Sequence, residues 1–270
     1  MLCCQEFEVK NYDFTLGRLA YESLRLVQNS GGSYMKILAV DTATTSVSVA
    51  VMDGETLCTE ITRSTGETHA RHLMTLVDKA LNLSGMAAAD LDGFGVTIGP
   101  GTFTGLRIGL SSVQGMATAV SKPVAGISSL AALAAQAAPA FRETGSMVWA
   151  MLDARRQEVY GGLFKPDGSA VVPVSAPQVG HPQVLVDEAD AACVFVGSGA
   201  LLYQDVLREK LKDRFFLAAP LAHTIRGETV ARLAQEIFEN ETVPIDGVQQ
   251  PLYLRKSDAE INLAKQAAKD

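Results

Sequence analysis

Aromatic residues and cysteines are both scarce in this sequence, and neither forms a pattern that builds a site. Aromatic side chains make up 6% of the 270 residues, and the cysteines are Cys3, Cys4, Cys58 and Cys193. No Cys-x-x-Cys pair occurs among them, which argues against both a zinc ribbon and the disulfide framework of a small secreted domain. We therefore expect reduced thiols in a cytoplasmic protein.

Basic charge is also in short supply. The chain carries 23 Lys and Arg against 30 Asp and Glu, which gives a formal net charge of −7. A protein that grips nucleic acid alone usually presents clustered cations, so we expect any RNA to be held largely by another subunit. No apolar run approaches the ~20 residues of a membrane span. Glu6 and Glu8 interrupt the N-terminus before a secretory core could form, so we expect no membrane association.

Apolar residues, by contrast, make up 47% of the chain, enough for a large globular core. The abundance of Ala, Gly, Leu and Val favours an α/β fold. Residues 1–34 stand apart and end in a flexible Ser/Gly segment. We predict that they are an extension outside the fold, or are translated from an upstream start codon, and that the folded unit begins at Met35.

A strand, a polar turn and a returning strand open the folded unit. Buried strand residues end at Asp41, and the turn that follows offers the hydroxyls of Thr42 and Thr44. Such a turn predicts a nucleotide-phosphate site that includes these three residues. Asp41 could instead only cap backbone N–H groups of the turn, and both interpretations stay open.

A glycine-rich turn runs directly into an apolar helical pattern at residues 99–109 (GPGTFTGLRIG). Thr102 and Thr104 are candidate N-caps, and the helix N-terminus with Gly101 and Thr102 is a candidate phosphate site. No Lys follows Gly105, so this is not a Walker loop. The alternative is that small residues form a close-packing face for another helix, namely Gly105, Gly109, Ser112 and Gly115.

Residues 69–83 predict an amphipathic helix. His69 and His72 lie on one side of it, and Leu73 and Leu76 lie on its apolar face. Two histidines without a third ligand favour a solvated or interface pair over a metal site.

A charged hairpin turn at Arg155 and Arg156 supplies the best local basic pair. The two side chains could clamp a phosphate or carboxylate, or form an ordinary solvated turn. A later Gly197-Ser-Gly199 turn is weak support for a nucleotide site.

Several segments together resemble the TsaB (YeaZ) family. They are residues 35–44 (MKILAVDTAT), 99–109, 122–130 (KPVAGISSL), 152–160 (LDARRQEVY) and 251–255 (PLYLR). That family is the non-catalytic partner in bacterial synthesis of threonylcarbamoyladenosine on transfer RNA. The similarity runs from about Met35 to Arg255.

The resemblance implies an α/β, two-lobed actin-like/sugar-kinase ATPase (ribonuclease H-like) fold, shared with the catalytic sister TsaD. On this basis residues 35–139 form a first lobe, to which a helix at 223–240 returns, and residues 140–222 form a second lobe. Residues 241–270 are a C-terminal segment and a mostly polar tail.

The resemblance also implies partners. The chain is expected to dimerise with a TsaD-type subunit through helices at 69–83 and 105–120, to self-dimerise in isolation, and to meet a TsaE-type ATPase and tRNA through that complex. The predicted interface residues are His69, His72, Leu73, Leu76, Gly105, Arg107, Ile108, Gly109 and Ser112.

No catalytic residue is assigned to the chain. The sister's metal-binding histidines fall at Ser129 and Leu133 here, and neither side chain is a credible ligand. We expect no metal and no required cofactor, with ATP or ADP as the nucleotide the fold could hold. The alternative functions are a phosphotransferase or ATPase that uses Asp41 and the glycine turn, and a metallopeptidase.

Overall fold

The computed structural model describes residues 35–64, 72–167, 170–187, 191–245 and 247–255, with the backbone alone for 142–144. The predicted extension at 1–34 and the side chain of His69 lie outside these residues. The strands are β1 (Lys36–Asp41), β2 (Ser46–Asp53), β3 (Thr56–Ser64), β4 (Gly93–Gly99), β5 (Val124–Ser128), β6 (Met147–Arg155), β7 (Glu158–Asp167), β8 (Ala170–Pro173), β9 (Gln178–Gly180), β10 (Cys193–Val196) and β11 (Phe215–Leu217). The helices are α1 (Leu73–Ser84), α2 (Phe103–Val120), α3 (Ser129–Ala137), α4 (Pro182–Leu185), α5 (Ser198–Leu202), α6 (Gln204–Leu211) and α7 (Gly227–Asn240).

The first sheet is five-stranded, in the order β3-β2-β1-β4-β5. β1 pairs antiparallel with β2 and parallel with β4, and β5 extends the parallel half. β1 reads KILAVD and is buried on both faces, as a strand covered by helices on both sides requires. Helices α1 and α2 pack on one face of this sheet, and α7 packs on the other.

The second sheet repeats the same strand order. Its path is β11-β10-β6-β7-β8, with β6 and β7 antiparallel and β6 and β10 parallel. β6 therefore corresponds to β1, and β10 corresponds to β4. Each parallel neighbour leads into a helix through a glycine with positive φ: Gly99, the last residue of β4, at 121°, and Gly197, which follows β10, at 103°. The carboxyl ends of the central strands thus lead into equivalent glycine turns in both halves.

Two helices lie between the sheets and share one core. α3 packs on β6 and β7, α7 packs on β1 and β2, and the two helices contact each other. Their buried side chains form one cluster with both sheets, through residues such as Leu133, Val148 and Val230.

Helix α7 begins at Gly227, later than the predicted start at residue 223. Pro220–His223 forms a 3-10 turn instead, because the His223 ring is buried as a bridge. Its Nδ1 accepts from Gly197 N at 3.0 Å, and its Nε2 lies 3.0 Å from Ala218 O. A Cβ at Gly227 would lie 2.8 Å from Ala50 N, so the helix can begin there only on a glycine.

None of the helices in the described part of the chain combines the length and the apolar character needed to cross a membrane.

Candidate functional site

The Asp-led turn after β1 is held by its own hydrogen bonds. The Oδ1 atom of Asp41, which is fully buried, accepts from Ala43 N at 3.1 Å and from Thr97 Oγ1 at 2.7 Å. The hydroxyl of Thr42, also buried, donates to Gly105 O at 2.8 Å. The hydroxyls of Thr44 and Ser46 are hydrogen-bonded to each other at 2.8 Å. The capping role considered for Asp41 is therefore present in the structure.

Burial sets the protonation of Asp41. Desolvation raises the pKa of its carboxyl from 3.8 to about 6, although the hydrogen bonds from Thr97 and Ala43 oppose the shift. The second oxygen, Oδ2, has no hydrogen-bond partner among the described residues. Asp41 thus combines a structural cap with one buried, unused acceptor.

The glycine turn docks directly on this first turn. Thr102 N donates to Ala43 O at 2.7 Å, and a Cβ at Gly101 would lie 2.3 Å from the same oxygen. The backbone N–H predicted to hold phosphate at Thr102 is therefore already engaged within the chain. Thr102 occupies the N-cap position of α2, but its side chain makes no capping bond. The phosphate-binding role of Asp41, Gly101 and Thr102 stays a prediction.

Of the four small residues in the predicted packing face of α2, only Gly105 and Gly109 turn inward, which corrects part of the predicted interface. Gly105 and Gly109 are buried, and a Cβ at Gly109 would lie 2.2 Å from Thr42 Oγ1. These two glycines permit α2 to approach the first turn closely. They are covered by the chain itself, so the spacing identified a real close-packing face but assigned it to the wrong neighbour.

Helix α1 requires a similar correction. Leu73 and Leu76 are 1% and 7% exposed and belong to the core under the first sheet, because the apolar stripe of an amphipathic helix faces its own sheet. His72 occupies the N-cap position without a side-chain cap bond. The outward face is mixed: it carries Thr75, Asp78, Lys79 and Asn82, and the apolar Met74 and Leu83, which are 50% and 72% exposed, lie on its two opposite flanks.

The outward face of α2 is almost free of charge. Among its eighteen residues, FTGLRIGLSSVQGMATAV, Arg107 is the single charged one. Ile108 and Ser112 are half-buried, and Ser111 and Gly115 are exposed. Exposed helix faces in single-chain proteins are usually rich in charged side chains, so this face has the composition of a covered one.

The sister's metal site does not fit this chain. Leu133 lies fully buried in the core, and the buried hydroxyl of Ser129 has no partner among the described residues. A hydrocarbon and one neutral hydroxyl supply no ligand set for a divalent cation.

Residues 247–255 form an extended segment, here called the C-terminal strap, whose placement the sequence did not predict. Leu252 N donates to Ile98 O at 2.7 Å, beside the glycine turn. Gln249 donates through Nε2 to Val124 O at 2.9 Å. The strap therefore runs from the amino end of β5, at Val124, to the carboxyl end of β4, at Ile98.

The far end of the strap reaches the second sheet. Arg255 donates from its two Nη groups to Glu158 Oε2 at 2.9 Å and to Ala154 O at 2.7 Å. These acceptors flank the predicted basic turn, in which Arg155 and Arg156 have φ of 60° and 57°. The strap thus joins the carboxyl end of β4 to the hairpin that follows β6. The only signal in the sequence was the PLYLR motif, which gave no position.

Three comparisons with known proteins agree. A family model described as TsaD, tRNA N6-adenosine threonylcarbamoyltransferase, matches residues 60–263. The tRNA threonylcarbamoyladenosine biosynthesis protein TsaB of Escherichia coli is 31% identical over 236 residues, which cover 83% of this chain and 96% of that protein. Its Bacillus subtilis counterpart is 29% identical, over 84% of this chain and 96% of that protein.

Among solved structures, YeaZ from Pseudomonas aeruginosa matches with a TM-score of 0.68 and 29% identity, over 82% of this chain and all of that one. The predicted α/β fold is confirmed by this match and by the two mixed sheets of the same strand order.

Proposed function

The chain belongs to the TsaB family, and on that premise we propose that it is the non-catalytic subunit of a tRNA threonylcarbamoyladenosine-synthesising complex. In this role it binds a TsaD-type catalytic subunit and orders that subunit for threonylcarbamoyl transfer. The observation that carries the proposal is the outward surface of α1 and α2, which we call the helix face.

The helix face has the chemistry of a protein-binding surface. α1 exposes the apolar side chains of Met74 and Leu83 alongside the charged Asp78 and Lys79, whereas α2 presents small and hydroxyl residues with one charge. Charged residues are depleted in the buried part of interfaces, while Met and Arg are enriched. The predicted contacts that remain are His72, Arg107, Ile108 and Ser112. The buried leucines of α1 and the buried glycines of α2 contribute indirectly, because they hold the two helices in place.

The competing enzymatic functions have less support. A phosphotransferase would need Asp41 and the glycine turn open to phosphate, but Asp41 is fully buried and the N–H of Thr102 already donates to Ala43 O. A metallopeptidase would need ligands where Ser129 and Leu133 stand. We propose that the chain needs no cofactor of its own, and that ATP or ADP at the Asp41 turn is a secondary role at most.

The remaining partners follow from the complex. We propose that a TsaE-type ATPase meets the heterodimer, that tRNA is held through the complex in the cytoplasm, and that two copies of this chain pair through the helix face when the catalytic subunit is absent. Exposed apolar side chains on that face favour such pairing.

The proposal is tested by heterodimer formation between this chain and its TsaD-type subunit, followed by light scattering on a sizing column. Ser111→Arg adds bulk and charge at the middle of the helix face, where Ser111 is exposed. It should abolish the heterodimer. The matched control Ala176→Arg, at an exposed position of the second lobe, should leave it intact. A heterodimer that tolerates Ser111→Arg as well as Ala176→Arg would contradict the assignment of this face.

A further inference from the structure

Arg107 is held in a fixed orientation by two aromatic rings. Its guanidinium carbon lies 3.8 Å from the ring centroid of Phe103, one turn earlier on α2. Its Nε donates to the hydroxyl of Tyr253 at 2.9 Å. The rings of Phe103 and Tyr253 are themselves stacked, with centroids 4.7 Å apart and planes 24° apart. The strap therefore supplies half of the support for an arginine on the helix face.

Within the described residues, this support leaves both Nη groups of Arg107 without an acceptor, whereas Nε is engaged by Tyr253. The side chain is exposed, so the open donors face solvent. A planar guanidinium with two adjacent free N–H groups matches an anion that offers two oxygens side by side. Stacking has already removed much of the rotamer freedom that binding would otherwise cost.

The surroundings indicate which anion is bound. RNA contacts depend on several cations acting together, whereas Arg107 is the single charged residue of α2. Arg255, at the end of the strap, is already paired with Glu158. An arginine that is the single charged residue of its helix and lies beside a tyrosine has the composition of a protein-binding hot spot.

We infer that Arg107, Phe103 and Tyr253 form a preorganised receptor for an aspartate or glutamate side chain of the TsaD-type subunit. The strap is then part of the partner-binding surface. The inference rests on the proposed function and adds to it a recognition chemistry, a carboxylate seated on the Nη groups of Arg107, and a contact outside the two helices.

The test measures the affinity of this chain for its TsaD-type subunit by titration calorimetry. Arg107→Met keeps the length of the side chain and its packing on Phe103 but removes the donors. It should weaken binding about 30-fold or more. Arg107→Lys keeps the charge but not the planar pair of N–H donors. It should therefore restore less than half of the lost affinity, measured as the logarithm of the dissociation constant. Tyr253→Phe keeps the stacked ring, frees Nε, and should weaken binding about three- to tenfold.

A matched control is available elsewhere in the chain. Arg208 also lies over an aromatic ring, that of Phe215 at 5.5 Å, but on the second lobe. Arg208→Met should leave the affinity within about twofold of the unaltered chain. Circular dichroism and the unfolding midpoint of each isolated variant verify that the fold is unchanged.

The outcomes separate the two levels of the argument. If the unaltered chain does not bind the TsaD-type subunit, the proposed function is overturned and this inference with it. If the unaltered chain and Arg107→Met bind equally, the inference alone is overturned. It is also overturned if Arg107→Lys binds as well as the unaltered chain, or if Arg107→Met leaves the heterodimer intact but weakens its hold on tRNA, because the bound anion would then be a phosphate.

Discussion

Replacing Gly109 with alanine tests whether the small-residue face of α2 serves the chain's own fold. The new Cβ would lie 2.2 Å from Thr42 Oγ1, with the β- and γ-carbons of Thr42 within 3.5 Å. Thr42 cannot simply rotate away, because it is fully buried and its hydroxyl donates to Gly105 O. The substitution must therefore displace the helix or break that hydrogen bond.

The expected loss of stability is the balance of three effects. Overpacking a closely packed site costs about 1–3 kcal/mol, and a lost buried hydrogen bond costs about 1 kcal/mol. Alanine in a helix interior recovers about 1 kcal/mol over glycine. Gly109→Ala should thus destabilise the protein by about 1–3 kcal/mol, which lowers the unfolding midpoint by roughly 2–4 °C for each kcal/mol.

The assay is calorimetric or fluorescence-monitored unfolding of the isolated chain, with Gly115→Ala as the control. Gly115 lies on the same helix, and a Cβ added there would meet nothing within 4 Å, so Gly115→Ala should stabilise by about 0.5–1 kcal/mol. Combining Gly109→Ala with Thr42→Ala removes the clashing atom, so the double variant should lose less than the sum of the two. Equal stabilisation by both glycine variants would refute the close contact with Thr42.

Other substitutions test the remaining structural claims. Burial raises the pKa of Asp41 from 3.8 to about 6. The contribution of Asp41 to the free energy of unfolding is therefore fully present below pH 3.8 and is lost as the pH rises through about 6. Asp41→Asn should remove this pH dependence, so that its free energy of unfolding rises by about 3 kcal/mol relative to that of the unaltered chain between pH 4 and 7. Parallel profiles of unfolding free energy against pH would contradict this. Gln136 donates through Nε2 to Ala222 O at 2.9 Å and Thr224 O at 2.8 Å, and its Oε1 accepts from Arg226 N and Thr229 Oγ1, before and within the first turn of α7. Gln136→Leu should lower the free energy of unfolding by about 2–4 kcal/mol, measured with denaturant. The control is Gln235→Leu, since the amide of Gln235 donates to a single carboxylate. A loss for Gln136→Leu no larger than that for Gln235→Leu would argue against the role of Gln136. Arg255→Met should lower the free energy of unfolding by about 1–2 kcal/mol, because it removes two partly buried hydrogen bonds. The control Lys165→Met, at an exposed position, should change the unfolding midpoint little. Equal effects of the two substitutions would disprove the attachment of the strap.

Local patterns were sufficient to predict the opening elements of the fold. The apolar run of β1, the turn at Asp41 and the glycine turn before α2 follow from residue types alone, because strands, turns and caps depend on near neighbours. The resemblance then supplied the two-lobed arrangement. Helix α7 was predicted to begin too early, since the bridge made by the ring of His223 includes Gly197, which is 26 residues away in sequence.

The candidate site was less accessible to such reasoning. Helical spacing grouped Gly105 with Gly109 but could not tell whether their face meets Thr42 or a partner, because that depends on a contact 63 residues apart. The strap has no periodicity, and the hydrogen bond from Arg107 to Tyr253 spans 146 residues. Contacts of this kind are visible only once the chain is folded.

The most direct test of the central claim is threonylcarbamoyl transfer to tRNA in a reconstituted system. It contains the cognate TsaD-type subunit, the TsaE-type ATPase and the enzyme that supplies the threonylcarbamoyl donor, with and without this chain. We predict that modified tRNA forms only when the chain is present, and that Ser111→Arg prevents its formation. Undiminished transfer without the chain, or transfer by the chain without the TsaD-type subunit, would contradict its role as a non-catalytic partner.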